Sequence, residues 1–380
     1  MIRPLVWKIC RLLYVRGAKP LLFLMAPDNV HRGTIRIAAA IGSFPITTAL
    51  IRLIFRSPRD ERLVQTYHGI EFATPVGLAA GFDKNGQIVP TIAALGFGFT
   101  SVGSVTANQC RGNERPWFYR LPKTRSLVVN AGLANDGSRI IIKRLRRLRP
   151  QLVERFPIVL SVAKTNSRKV VDETTSIADY VTTLKRASRQ PNISQIELNI
   201  SCPNTYGGEP FTTVNRLDHL LSAIDEVGAT QPIYVKMPTN LPWSDFQRLL
   251  DVIVLHRISG VTISNLAKDR SNLDIQDVLP DSVAGNLSGK PTEKTSNELI
   301  RRTYLHCADK LTIIGVGGIF SADDAYQKIR LGAGLVELIT GLIYCGPQLA
   351  AEINDGLSKR LARDGLVHIS QAIGLDAPTG

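Results

Sequence analysis

From about residue 73 the chain repeats one pattern: a short run of Val, Ile and Leu, then glycine or polar residues, then a stretch with apolar positions three or four apart. Eight such runs read as strands, over 76–80, 99–105, 158–163, 195–200, 232–237, 260–264, 311–316 and 335–340. The stretches over 140–155, 175–190, 215–228, 244–257, 293–309 and 322–332 read as helices. Strands that are apolar almost throughout belong to a parallel sheet covered on both faces. Eight of them alternating with helices predict an α/β fold, a (β/α)8 TIM barrel. A doubly wound open sheet is the runner-up, but it lacks a G-x-G-x-x-G turn after an early strand. The long gap between the second and third strands predicts extra loop or β-structure over the barrel mouth. The division that follows is an N-terminal helical segment over 1–65, the barrel over 66–365 and a C-terminal tail over 366–380.

The first seventy residues follow a different rule. Apolar pieces such as Leu21–Met25, Ile35–Ile41 and Ile46–Phe55 alternate with basic punctuation, and Arg16, Lys19, Arg36, Pro45 and Arg52 keep every piece short of the ~20 apolar residues that a transmembrane helix needs. The charges run through the segment, so it does not read as a signal peptide. Short amphipathic helices with basic flanks remain, one starting near Val30 with Asp28 as its cap. Two readings stand side by side: a helical cap packed on the barrel, or a monotopic contact with apolar faces in a bilayer and Arg/Lys on anionic headgroups.

Composition narrows the chemistry. The 380 residues are 44% hydrophobic and 21% charged, which excludes disorder. Five scattered cysteines without a C-x-x-C pair argue against a disulfide scaffold and fit a reducing compartment, and the six dispersed histidines argue against a metal site. Net charge is +14, with eleven Lys/Arg against three Asp/Glu in residues 1–70. The basic run from Arg139 to Arg155 reads as a solvated helix face, not as a nucleic-acid surface. In a barrel the active site lies at the C-terminal strand ends. Those ends carry Ala79–Gly81 and Lys84, Ser104, Lys164, Asn199 with Cys202 and Asn204, Lys236, Ser264 with Asn265, Gly317 with Gly318, and Thr340. The set has lysines, amides, one thiol and glycine turns, but no carboxylate pair and no histidine. Glycosidase and metallohydrolase chemistry are therefore disfavoured, and a phosphate-bearing cofactor that supplies the reactivity is favoured. Taken singly, each feature also has a plain structural reading, as a turn glycine, a solvated lysine or an inert buried cysteine.

The runs VGLAAGFDKNG (76–86), ALGFGFTSVGSVT (94–106), GNERPWFYRL (112–121), NISCPNTYGG (199–208), YVKMP (234–238), NLSGKP (286–291) and IIGVGGIFSADDA (313–325) resemble the dihydroorotate dehydrogenase family, in order and spacing over about residues 60–355. The basic N-terminal segment looks like that of the quinone-dependent class 2 enzymes. The resemblance implies an FMN-dependent oxidation of dihydroorotate to orotate in pyrimidine biosynthesis, with quinone as electron acceptor, on the cytoplasmic side of a membrane and peripheral to it. It implies FMN contacts at Ala79, Ala80, Gly81, Ser104, Ser161, Asn199, Lys236, Ser264, Ser288, Gly289, Gly317, Gly318 and Thr340. Lys84, Asn199, Asn204 and Asn265 match substrate positions, and Cys202 falls on the catalytic base. A cysteine there is the class 1 form on a class 2 body.

Several positions depart from the family pattern. Where a substrate asparagine is usual the chain has Val129, and the neighbouring Asn130 is the substitute amide. Leu266 stands where a hydroxyl is usual, and Ser161 where the flavin normally meets an asparagine. Unpaired polar ligand groups cost ~1–3 kcal/mol each, so Val129 and Leu266 also fit an alternative: a paralogous FMN oxidoreductase acting on another, less polar small molecule in specialised metabolism. A non-catalytic flavin-binding barrel is the third reading.

Overall fold

The computed structural model describes residues 2–56, 59–202, 204–271, 273–307 and 310–377. The eight apolar runs form the strands β1 Val76–Leu78, β2 Phe99–Val105, β3 Ile158–Val162, β4 Gln195–Asn199, β5 Ile233–Lys236, β6 Gly260–Ile263, β7 Thr312–Val316 and β8 Leu335–Leu338. Each pairs in parallel with its neighbour in sequence, and β8 closes on β1 with Val336 opposite Val76. The predicted (β/α)8 barrel is the observed fold. Outward residues of these strands, such as Val102, Ile158 and Ile196, are buried under the helices.

The inward faces are layered. Phe99, Val159, Tyr234, Ile314 and Leu335 fill the N-terminal end, where Phe72 plugs the barrel with its ring 5.2 Å from that of Phe99. Phe72 is placed there by an antiparallel hairpin, Gln65–Tyr67 with Ile70–Phe72, whose two turn residues His68 and Gly69 both have positive φ. Toward the other end the interior turns polar, with Ser101, Ser161, Glu197, Lys236 and Glu337 all buried.

Over the mouth lies a three-stranded antiparallel sheet of Phe118–Leu121, Ser126–Val129 and Asn286–Leu287. Two of its strands come from the gap between β2 and β3, where extra structure is expected, and the third comes from the gap between β6 and β7. The helix expected over 140–155 is two pieces, Ser138–Leu145 and Pro150–Val153. Pro150 offers no N–H, and it holds Arg149 in an extended conformation. The sequence reading passed over Val89–Ala94, Thr340–Cys345 and Leu349–Arg363, which are helices as well. In the C-terminal stretch Ile369 and Ala372 are buried against the barrel's helices.

The N-terminal segment is α1 Ile2–Leu13, a wide turn over Tyr14–Ala18, α2 Lys19–Leu24, α3 Pro27–Ser43 and α4 Pro45–Phe55. No single helix among the described residues is long and apolar enough to cross a membrane, and α3 meets α4 at a bend of 106°. Part of the segment packs on the barrel: Trp7 and Ile35 are buried, and Tyr14 Oη donates to Ile343 O at 2.7 Å. The opposite face leaves Leu5, Ile9, Leu12, Leu21, Phe44, Ile46, Leu50 and Leu53 exposed. Asp28 does not cap a helix. The helix begins at Pro27 after Ala26, and the buried Asp28 carboxylate accepts the Trp117 backbone N–H at 3.1 Å. It is used to fasten α3 to the loop before the mouth sheet.

Candidate active site

One cavity of ≈ 490 Å³ opens at the C-terminal strand ends and continues between α2 and α3. Its floor and walls include Ala79, Ala80, Gly81, Lys84, Ser104, Asn199, Cys202, Asn204, Lys236, Ser264, Asn265, Ser288, Gly289, Gly317, Gly318 and Thr340. The residues singled out from strand ends and motifs thus meet in one place, except for Lys164, which supports the Cys202 loop from outside, and for Ser161 and Asn130. Ser161 lies behind the wall, fully buried, with its hydroxyl 2.9 Å from that of Ser104. Asn130 also lies off the cavity. Leu127, Val129 and Ala131 line it, so the two-residue period of the strand sends Asn130 to the other face, where its Oδ1 accepts from Asn113 at 2.8 Å. At this spot the cavity wall is the Val129 side chain.

The amides at the strand ends form a connected set. Asn199 at the end of β4 donates to Ser104 Oγ at 2.8 Å and accepts from Asn265 Nδ2 at 3.0 Å. Asn265 also donates to Ser201 O and Ser201 Oγ, both at 2.9 Å, and Ser201 Oγ donates to the Lys236 carbonyl at 2.8 Å. Asn204 Nδ2 donates to Val129 O at 2.9 Å, and its Oδ1 accepts from Asn286 at 2.6 Å. The amide positions are therefore fixed by bonds that span four strands.

Cys202 and Asn204 ride on a loop clamped from outside the cavity. Lys164, one of the strand-end lysines, donates to Tyr206 O at 2.6 Å and Val170 O at 3.1 Å. Asn166 accepts from the Tyr206 N–H at 2.8 Å, and Asn113 donates to Asn204 O at 3.1 Å. Asn130 takes part through Asn113, as a support of this loop. Burial pushes the Cys202 thiol up to about 11, and the Glu209 carboxylate adds to that rise. The Asn204 N–H and the cations Lys164 and Lys236 pull the other way.

Lys84 is held by the loop after β1, where the Asp83 carboxylate accepts the N–H groups of Gln87 and Ile88, both at 2.9 Å. Its ammonium donates to Gly81 O at 2.7 Å and sits 5.1 Å from the centre of the Phe118 ring. Burial lowers its pKa to about 8. His31 of α3 lies 3.3 Å from it. Burial first, then Lys84 and Arg115, hold the imidazole down to about 3. It is therefore neutral at pH 7, and with its proton on Nδ1 it can accept from Lys84 through Nε2. Arg120 completes the link to the N-terminal helices by donating to Phe23 O at 3.2 Å and Met25 O at 2.7 Å. Sequence reasoning missed His31, Phe118 and Arg120 as cavity residues, because nothing local in the chain says which helix will lie across the mouth.

Among the described residues the cavity is lined by Lys84, Lys236 and Arg120 and by no carboxylate, a charge balance suited to anions. After β7 the N–H groups of Gly317 and Gly318 have no acceptor among the described residues. The Ser288 and Thr340 hydroxyls, 2.9 Å apart, line the same cavity. Two free N–H groups and two hydroxyls in one cavity fit a phosphate. Gly317 has φ +114, and a Cβ there would come within 2.6 Å of Thr292 Oγ1, so only glycine keeps this turn. No group of three or more His, Cys, Asp or Glu side chains is arranged to hold a metal among the described residues.

A sequence profile described as dihydroorotate dehydrogenase matches residues 62–361. A Deinococcus deserti protein named dihydroorotate dehydrogenase (quinone) is 36% identical over 374 residues, spanning 96% of this chain and 100% of its own. A Mycolicibacterium smegmatis protein of the same name is 36% identical over 354 residues, covering 93% and 96%. Among solved structures, DHODH from Eimeria tenella in complex with ferulenol superimposes with a TM-score of 0.81 at 26% identity, covering 93% of this chain and 96% of that one.

Proposed function

The chain belongs to the dihydroorotate dehydrogenase family, and from that premise we propose that it oxidises dihydroorotate to orotate with FMN in the barrel mouth and a quinone as electron acceptor. The observation that carries this reading is the single cavity that joins the motif residues to a passage between α2 and α3. FMN, when bound, accepts a hydride and passes its electrons on to the quinone. The free N–H groups of Gly317 and Gly318 and the hydroxyls of Ser288 and Thr340 would hold its phosphate. Ala79, Ala80, Gly81, Ser104, Asn199, Ser264 and Gly289 would line its other contacts, with Ser161 acting through Ser104.

The protein's own groups then have separate tasks. Lys236 would stand at the flavin and stabilise negative charge there. Lys84, still mostly charged at pH 7 with its pKa lowered to about 8, would pair with the substrate carboxylate, and neutral His31 adds no competing charge beside it. Asn199, Asn204 and Asn265 would bond the ring carbonyls and N–H groups, exchanging part of their present bonds for those to substrate. Cys202 would take the proton from C5 onto Sγ as the hydride leaves C6. The passage lined by Leu22, Val30, Thr34 and Ala38 is the quinone's route, and the exposed apolar faces of α1 and α4 would rest on a membrane surface.

A second reading rests on one feature: Val129 and Leu266 both line the cavity, which makes part of the substrate wall apolar. That wall suits a less polar substrate. Val129→Asn separates the two. It is expected to raise kcat/KM for dihydroorotate by about tenfold, the effect of one added ~1.4 kcal/mol hydrogen bond. An unchanged or lower kcat/KM would favour the other substrate.

A further inference from the structure

At the end of the barrel away from the mouth, a second cavity of ≈ 1120 Å³ lies between the N-terminal helices and the loops that enter β1 and β2. Arg3 reaches it from α1, Arg52 from α4 and Arg56 from the residue just past its end, and Arg149 and Arg155 from the two flanks of the short Pro150–Val153 helix. None of these five has a carboxylate partner among the described residues. The acids on the wall are taken up by other cations: Asp60 by Arg62 at 2.8 Å and Glu61 by Arg59 at 2.7 Å, both also on the wall, and Asp355 by Lys359 at 2.6 Å.

This is a costly way to place cations. Arg56 is half-buried, and burial, then Arg52, Arg155 and Arg59, disfavour its charged form. Arg52, Arg149 and Arg155 are exposed, as are Lys143 and Arg147 on and just after the preceding helix, but only the first group lines a shared cavity. Here segments about fifty and a hundred residues apart in sequence converge their charges on one concavity. Folding gains nothing from the repulsion, whereas a bound anion would relieve it.

The surroundings specify the kind of anion. Trp7 on the wall is 3% exposed and donates its indole N–H to Ile54 O at 2.8 Å, which locks α1 to α4. The outer faces of the same two helices carry Leu5, Leu50 and Leu53, each more than half exposed and one to three residues from a lining arginine. Guanidinium groups in a hollow, rimmed by an apolar surface, match a phosphate ester attached to acyl chains.

We propose that this cavity is a binding site for the phosphate headgroup of an anionic phospholipid, which fixes the N-terminal helices on the membrane at one defined point. The proposal rests on the membrane-facing reading of α1 and α4 given above.

The test is co-sedimentation of the flavin-loaded full chain with phosphatidylcholine vesicles, with and without 30% phosphatidylglycerol. The triple variant Arg52→Gln, Arg56→Gln, Arg155→Gln is compared with Lys143→Gln, Arg147→Gln, Lys185→Gln, which removes the same charge from exposed positions elsewhere. The expected result is a loss of about 100-fold in partitioning to phosphatidylglycerol vesicles for the first triple, at roughly fivefold for each of its three juxtamembrane cations, and a several-fold smaller loss for the second. Equal losses in the two triples, or none in the first, would overturn the site while leaving the membrane contact standing. If the parent protein binds no vesicle at all, the membrane reading itself fails. If inorganic phosphate stabilises the parent against heat but not the first triple, while vesicle binding is equal in the two, the hollow serves a soluble anion and the lipid assignment is overturned.

Discussion

Cys202 sits among polar neighbours, yet burial outweighs them and its thiol is pushed up to about 11. A base of that kind is almost wholly protonated at pH 7, and its anionic fraction grows tenfold with each pH unit until the pKa is reached. Substrate-driven reduction of the flavin should therefore rise about tenfold per unit between pH 7 and 10, read by stopped-flow absorbance. Cys202→Ala should cost at least about 100-fold, and a variant that keeps parental rates would remove the thiol from the base role. At this scale most of the site was legible, because the strand ends of a barrel surround its mouth, although Lys164, at such an end, holds the Cys202 loop from outside the cavity. Asn130 and Ser161 were not. The first is turned away by strand alternation, and the second is screened by a hydroxyl that took its place at the wall.

The barrel strands carry their own liability. Glu337 on β8 and Glu197 on β4 are both buried in the barrel interior with Lys236 as the neighbouring cation. Burial first, and the Glu197 carboxylate next, push the Glu337 pKa far above the ordinary range, while Lys236 and the Ser101 hydroxyl oppose them. Between the unfolded value of ~4.3 and that raised value, the folded protein keeps a proton that the unfolded chain releases. Stability therefore falls as pH rises through this window, by up to about 1.4 kcal/mol per unit. Glu337→Gln keeps the shape without the titration, so its denaturation midpoint, followed from pH 5 to 8, should decline less than that of the parent. Parallel curves would show that the proton is not held there.

Elements differ in how far the sequence announces them. The eight strands stand out because burial on both faces leaves little room for polar residues. The break at Pro150 was readable from proline chemistry but was smoothed over by the helical spacing around it. Leu349–Arg363 was missed although it covers its neighbour tightly, with Gly356 so close to Ala322 that a Cβ would come within 2.3 Å of the Ala322 methyl.

For the molecule as a whole, the cavity separates two tasks in space. One end is built from barrel residues, and the other from α2 and α3. Nothing local could reveal that His31 would meet Lys84, since that contact depends on how a helix from the first segment lies across a sheet formed later in the chain. Filling the helical end should therefore spare the barrel end. Thr34→Trp is expected to lower quinone-dependent turnover at least tenfold while leaving anaerobic reduction of the flavin by substrate within twofold. Equal loss in both half-reactions would count against a separate quinone route. The central claim is the chemistry at the barrel end, and its most direct measurement is the visible spectrum of the flavin-loaded protein under anaerobic conditions, before and after L-dihydroorotate. Prompt bleaching of the flavin band is the predicted result. A flavin that stays oxidised with dihydroorotate, yet bleaches with dithionite, would contradict it.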